Sequence, residues 1–212
     1  MKRLAKTSPT LACLRRQAKL ARMGHPKASC SFRGINILGS AMANPVIVLD
    51  YDPNWPGLFQ SLRKRIADAL CDMAAAIEHV GSTAVPDLAA KPIIDIDVLL
   101  ASETMLSAAI ERLAGLGYIH RGNLGVPGRE AFLAPINDPA HHLYVCPPSS
   151  AEFRRHVAFR DYLRAHPKDA KIYGDLKIAL AKRFPEDRSA YMTAKGEFVA
   201  ELTSRAIATQ KQ

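Results

Sequence analysis

The sequence predicts an α/β (α+β) fold, a mixed sheet with helices followed by a C-terminal helical bundle. Three observations carry this. Short β-branched runs alternate with amphipathic stretches as far as Pro147-Pro148. Beyond that pair, three stretches of helical periodicity follow one another with no strand between them. Asp95 and Asp97 interrupt an otherwise apolar strand-like run, which sets one sheet face apart from the core.

Val46–Leu49 is a β-branched run expected as a strand, closed by the turn Asp50-Tyr-Asp-Pro-Asn54. A helix starts near Trp55-Pro56, where proline is tolerated, with Leu58, Leu62, Ile66, Leu70 and Met73 on its apolar face. Residues 76–80 form the next strand, ended by Gly81-Ser-Thr83, and Ala89-Ala-Lys-Pro92 leads into a third over 93–100. Ser102 caps a helix running to about Gly115. Further strands are expected at 118–121, 131–135 and 142–146, around the Gly/Pro-rich loop 122–129 and the turn 137–141. Ser149-x-x-Glu152 reads as a capping box before a helix to His166. Residues 168–184 and 189–208 form two more helices, the first marked by Ile172, Leu176 and Leu180, the second by Tyr191, Ala194, Phe198 and Leu202. The expected organisation is a basic extension over 1–44, an α/β core over 45–148, and a helical half over 149–212 of the same domain.

Composition bounds the function. With 212 residues, 48% hydrophobic and 23% charged, the chain can bury one well-packed core. No apolar run approaches the ~20 residues of a membrane span. The cysteines (Cys13, Cys30, Cys71, Cys146) form no Cys-x-x-Cys pair, which argues against a zinc ribbon or a thioredoxin-like site and for a cytoplasmic protein. The net charge of +9 resides in residues 1–44, which hold nine Lys/Arg and no acid; the remainder balances 20 basic against 20 acidic residues. Such a segment reads first as a disordered extension, and otherwise as a nucleic-acid arm, a membrane-surface helix or a transit peptide. Nucleic-acid binding is therefore expected, if at all, through that tail.

The chemistry concentrates in two stretches. Asp95 and Asp97 leave the same face of their strand while Ile94, Ile96 and Val98 enter the other. Two adjacent carboxylates repel unless a cation lies between them, and Mg²⁺, completed by substrate phosphates and water, suits oxygen donors. A polar outer strand face is the plainer explanation, opposed by the apolar neighbours Ile93 and Leu99. Gly81 lets the backbone approach a ligand, and Ser82 follows with a hydroxyl and amides suited to phosphate. Twelve residues separate Ser82 from Asp95, and this Gly-Ser…Asp-x-Asp arrangement resembles the nucleotidyltransferase superfamily.

The wider pattern is similar to the GrpB family: Tyr51-Asp-Pro-Asn-Trp-Pro56, Glu78-His-Val-Gly-Ser-Thr-Ala-Val-Pro86, Leu88-Ala-Ala-Lys-Pro-Ile-Ile-Asp-Ile-Asp97, His141-His-Leu-Tyr-Val145 and His156-x-Ala-Phe-Arg-Asp-Tyr-Leu163. The resemblance covers about 45–207 and implies a nucleotidyltransferase-like fold, in a family also found fused to dephospho-CoA kinase. It implies Gly81 and Ser82 as a phosphate-cradling turn, with Thr83 beside them as a further nucleotide-binding candidate, and Asp95 and Asp97 as Mg²⁺ ligands and catalytic groups. The superfamily's third carboxylate has no counterpart in His142-Leu-Tyr-Val145, so His142 is the candidate base or ligand and Glu130 an alternative acid. Lys91, Arg129, Lys177, Tyr191 and Lys195 are candidates for the nucleotide phosphates, against the plainer reading of solvated faces. His79 reads as a packed histidine. The expected function is Mg–nucleoside triphosphate binding, with nucleotidyl transfer to an unknown acceptor. The alternative is a catalytically silent module that binds a nucleotide or CoA precursor and acts with a partner protein.

Overall fold

The strand bearing the two acids is the pivot of the sheet. The computed structural model describes residues 45–209; the expectations for the basic extension lie outside them. Strand β1 (Ala74–Val80) pairs antiparallel with β2 (Ile94–Leu100), and β2 pairs parallel with β5 (His141–Cys146). Strands β4 (Glu130–Leu133) and β3 (Ile119–His120) complete a five-stranded mixed sheet of order β1-β2-β5-β4-β3.

Alternation along β2 decides what each face becomes. Ile94, Ile96, Val98 and Leu100 are buried in one core with Leu143 and Val145 of β5. Helix α1 (Trp55–Leu70) and α2 (Leu106–Ala114) cover that face. The buried stripe of α1 is Trp55, Phe59, Leu62, Ile66 and Leu70. Each such side chain, fully buried, contributes roughly 1.5–3 kcal/mol. Leu58, expected on this stripe, is 38% exposed. The i, i+4 spacing of the larger Trp55 and Phe59 takes the seam instead, which turns Leu58 outward.

The other face is covered by the helical half: α3 (Ala151–Ala165), α4 (Pro167–Arg183) and α5 (Arg188–Thr209). A second cluster joins Val85 and Leu88 to Leu163, Tyr173 and Leu202 of these helices. Pro167 opens α4 directly after His166, which caps the end of α3.

Several boundaries differ from expectation. Residues 46–49 are not a strand. One bridge joins Leu49 to Ala90, and Val46, buried against Leu180 and Tyr191, donates its N–H to the Pro185 carbonyl, so the segment is pinned outside the sheet. Ser102 caps a short 3₁₀ turn (Glu103–Met105) before α2. The cap of α3 is Ser150, whose Oγ accepts from the Phe153 N–H at 3.1 Å; Ser149 donates instead to Glu103, and Glu152 pairs with Arg155. The expected box was one residue early because both serines suit the position.

Candidate functional site

Between the acidic sheet face and the helical half lies a cleft of about 440 Å³. Its floor follows from strand register. Asp95 sits opposite Val80 and His142, and Asp97 opposite Glu78 and Tyr144. Cross-strand partners share a face, so the two acids, His142 and Tyr144 all leave the sheet on the helical side.

At the end of β1 the chain turns at Gly81 (φ +70°), a conformation that L side chains rarely adopt. A Cβ here would overlap Oδ2 of Asp95. Ser82–Ala84 then make one 3₁₀ turn. Thr83 is buried; its hydroxyl donates to the Ile93 carbonyl at 3.1 Å and so accepts from His79 Nε2 at 3.0 Å. His79 stacks on Phe59, and burial pushes its pKa down to about 4. His79 is thus a packed neutral residue, and Thr83 lines the cleft as the latch that closes the turn onto β2. Arg164 donates two bonds to the Ala84 carbonyl, and Arg160 bridges Glu78 to the His79 carbonyl, so α3 holds the turn from outside.

The two acids are not equivalent. Asp95 is partly exposed in the cleft, and its Oδ1 contacts His142 Nδ1 at 2.8 Å. Asp97 is fully buried and bonds His156 Nδ1 at 2.7 Å through Oδ2, while its Oδ1 has no hydrogen-bond partner. Burial raises the Asp97 pKa, against the opposing pull of His156. An unsatisfied buried carboxylate oxygen on the shared face suits a cation held jointly by the two acids.

Opposite them stands a set of cations. Lys177 is 2% exposed, and its ammonium has no hydrogen-bond partner. It lies 4.4 Å from the centre of the Tyr173 ring. Burial first, then repulsion from Lys195, lowers its pKa to about 7. Lys91 and Lys195 sit over the Tyr191 ring at 4.6 and 5.2 Å, and burial lowers both their pKa values. Gly81, Ser82, Thr83, Lys91, Asp95, Arg129, His142, Lys177, Tyr191 and Lys195 all line this one cleft, and Asp97 lies buried on its acidic face.

Glu130, the alternative acid, is not in it. It registers with Val145, on the sheet's other face, and contacts His120 at 2.7 Å. The sequence alone assigns His156 no chemical role. It is the direct partner of Asp97, and its only sequence signal was membership of the His156-x-Ala-Phe-Arg pattern.

Comparison with known proteins agrees with this architecture. The GrpB protein family model matches residues 45–205. A UPF0157 protein of Pseudomonas aeruginosa is 41% identical over 77% of this chain and 69% of its own. The crystal structure of a GrpB protein from Enterococcus faecalis superposes with a TM-score of 0.72 at 32% identity, covering 78% of this chain and all of that one. A dephospho-CoA kinase of Mycobacterium bovis is 26% identical over 76% of this chain but 46% of its own length, so the similarity occupies part of a longer protein. Taken with the five-stranded sheet, the acid-bearing β2 and the helical half over it, these matches show that the chain belongs to the GrpB family.

Proposed function

We propose that the cleft binds a Mg²⁺–nucleoside triphosphate, with nucleotidyl transfer to an acceptor as the reaction it serves. The single observation that carries this reading is the buried ammonium of Lys177, without a hydrogen-bond partner, lining one cleft with the Gly81–Ser82 turn and Asp95. A buried charge without a partner costs several kcal/mol unless a ligand satisfies it. Lys91 and Lys195 add two further cations beside it, a charge suited to a polyphosphate.

Asp95 and Asp97 would hold the metal, which when bound neutralises phosphate charge and steadies the developing charge on the transferring group. The chain's own groups do the rest. The turn at Gly81 brings its amides close to the phosphates, and Lys177 and Lys195 take the charge of the departing end. His156 holds Asp97 in place, and His142 does the same for Asp95.

A second reading, nucleotide binding without transfer, is favoured by one observation. The β5 positions beside the acids carry His142 and Tyr144, while Glu78 and Glu152 are engaged by Arg160 and Arg155. The test for binding is thermal stabilisation by ATP, GTP, CTP and UTP with Mg²⁺. Saturable stabilisation abolished by Asp95→Asn is expected; equal behaviour of parent and variant removes the metal assignment. Pyrophosphate release separates transfer from binding alone.

A further inference from the structure

The cations of the cleft divide between the two ends of the acidic pair. Asp95 and Asp97 are two residues apart, which is roughly 6.6 Å along a strand. Lys177 and Lys195 feel Asp95. Arg129 and His156 feel Asp97. The guanidinium of Arg129 lies 4.2 Å over the Tyr144 ring, beside the strand position opposite Asp97, and its Nε is buried with no hydrogen-bond partner. The arginine is placed by a fixed neighbour, since the carbonyl of Gly128 accepts from Ser150, the cap of α3. The other groups at this end are Arg155 and Glu152, which pair at 2.6 Å; Arg155 lines the cleft and Glu152 does not.

If the triphosphate occupies the lysine end, the Asp97 end is left for the acceptor. We infer that the acceptor is an oxyanion, a phosphate monoester or a carboxylate whose own oxygen attacks the α-phosphorus, held by the Arg129 guanidinium at the Asp97 end. A planar guanidinium suits such a group, because two of its donors can engage two oxygens at once. An anionic oxygen can take up the Arg129 Nε donor, which has no hydrogen-bond partner, whereas a cationic acceptor would be repelled by the guanidinium and a hydroxylic one would bring it no charge. The chemistry agrees with the residues present. An alcohol must lose a proton as it attacks, but an oxyanion enters already deprotonated. In the step, a lone pair of that oxygen forms the new P–O bond. The bond between the α-phosphorus and the α–β bridging oxygen breaks, and pyrophosphate leaves with its electron pair. No proton is moved, so Tyr144 can stand where a base would otherwise be needed.

This inference rests on the nucleotide reading, and the experiment separates the two. The full chain is loaded with Mg²⁺ and a non-hydrolysable α,β-methylene ATP, then titrated with glycerol 3-phosphate, glycerate or glycerol while melting temperature and heat are followed. Additional saturable binding by glycerol 3-phosphate or by glycerate is expected, the stronger anion identifying the acceptor class, with none by glycerol. Arg129→Ala should weaken that anion binding by about tenfold or more, Arg129→Lys should restore part of it, and Arg121→Ala, on an exposed position, should leave it intact. Nucleotide binding with no preference for either anion over glycerol, or anion binding insensitive to Arg129→Ala, overturns the inference alone. Absence of any response to the nucleotide analogue overturns both.

Discussion

Gly81 and Asp95 are fitted to each other: the missing side chain of the glycine is the space that the aspartate's carboxylate occupies. The close approach sets the turn directly against the acid, at a backbone conformation (φ +70°) that glycine alone adopts without strain. It ties the local geometry of the β1 end to the electrostatics of the cleft.

Gly81→Ala should therefore be damaging twice over. Strain and overlap together are expected to cost ~1–3 kcal/mol, and displacement of Asp95 should abolish stabilisation by Mg–nucleotide. Urea unfolding and thermal shift on the same variant report the two effects. A variant as stable and as responsive as the parent would show that the contact is not required.

Lys177→Met offers the opposite signature. Replacing a buried ammonium that makes no hydrogen bond with an apolar side chain of similar length should raise the stability of the ligand-free protein by ~1–2 kcal/mol. The same change should weaken nucleotide binding by about tenfold or more. A structural lysine would show loss of stability with binding retained.

The titration of Lys177 gives a pH dependence. Its folded pKa of about 7 lies below the unfolded value of 10.5. Sparing of the unfolded state is thus greatest below pH 7, and the ligand-free protein gains stability from this group as pH rises from about 7 towards 10.5. Binding runs the other way. A phosphate favours the charged lysine, so affinity should fall as the pH rises through neutrality, with proton uptake on binding. Lys91 and Lys195, also lowered, add to the same trend. Calorimetry at about pH 8 in buffers of different ionisation heat should register that uptake, and Lys177→Met should diminish it. Proton release, or no proton change, would contradict the role given to this side chain.

His79 makes the fold sensitive to acid. Its folded pKa of about 4 lies below the ordinary value of 6.5, through burial. The unfolded chain therefore binds the proton first, and stability falls as the pH drops from about 6.5 to 4. His141, buried and lowered in the same direction, contributes alongside. His79→Gln should flatten the fall in urea midpoint across this range, and an unchanged slope would exclude His79 as a source of it.

Arg160 tests how the helical half is attached. Its nearly buried guanidinium holds Glu78 and the His79 carbonyl of β1. Arg160→Ala should cost ~1–3 kcal/mol, less than the ~3–5 kcal/mol of a fully buried broken pair because Glu78 keeps some solvent. Denaturant unfolding checks it; a cost near zero would mean that apolar contacts alone seat α3 on the sheet.

Local pattern carried much of this structure in advance. Strand alternation put Asp95 and Asp97 on one face, and the i, i+4 spacing of Tyr191 and Lys195 brought that ammonium over that ring. What the pattern could not carry was long-range pairing. Residues 46–49 have strand chemistry but meet Ala90 and Pro185 instead of a sheet edge. Glu130 lies within reach of the site along the chain, yet its register with Val145 turns it to the other face, since one residue of register decides the side. His156 bonds Asp97 across 59 residues of chain, and local pattern does not foretell that Lys177 is buried over the Tyr173 ring with no hydrogen-bond partner.

The most direct measurement is a crystal structure of the chain with Mg²⁺ and α,β-methylene ATP. The expected density places the triphosphate between the Gly81–Ser82 turn and the Lys177 ammonium, with the cation against Asp95 and Asp97. A nucleotide bound elsewhere, or a cleft that stays free of it at saturating concentration, would contradict the central claim.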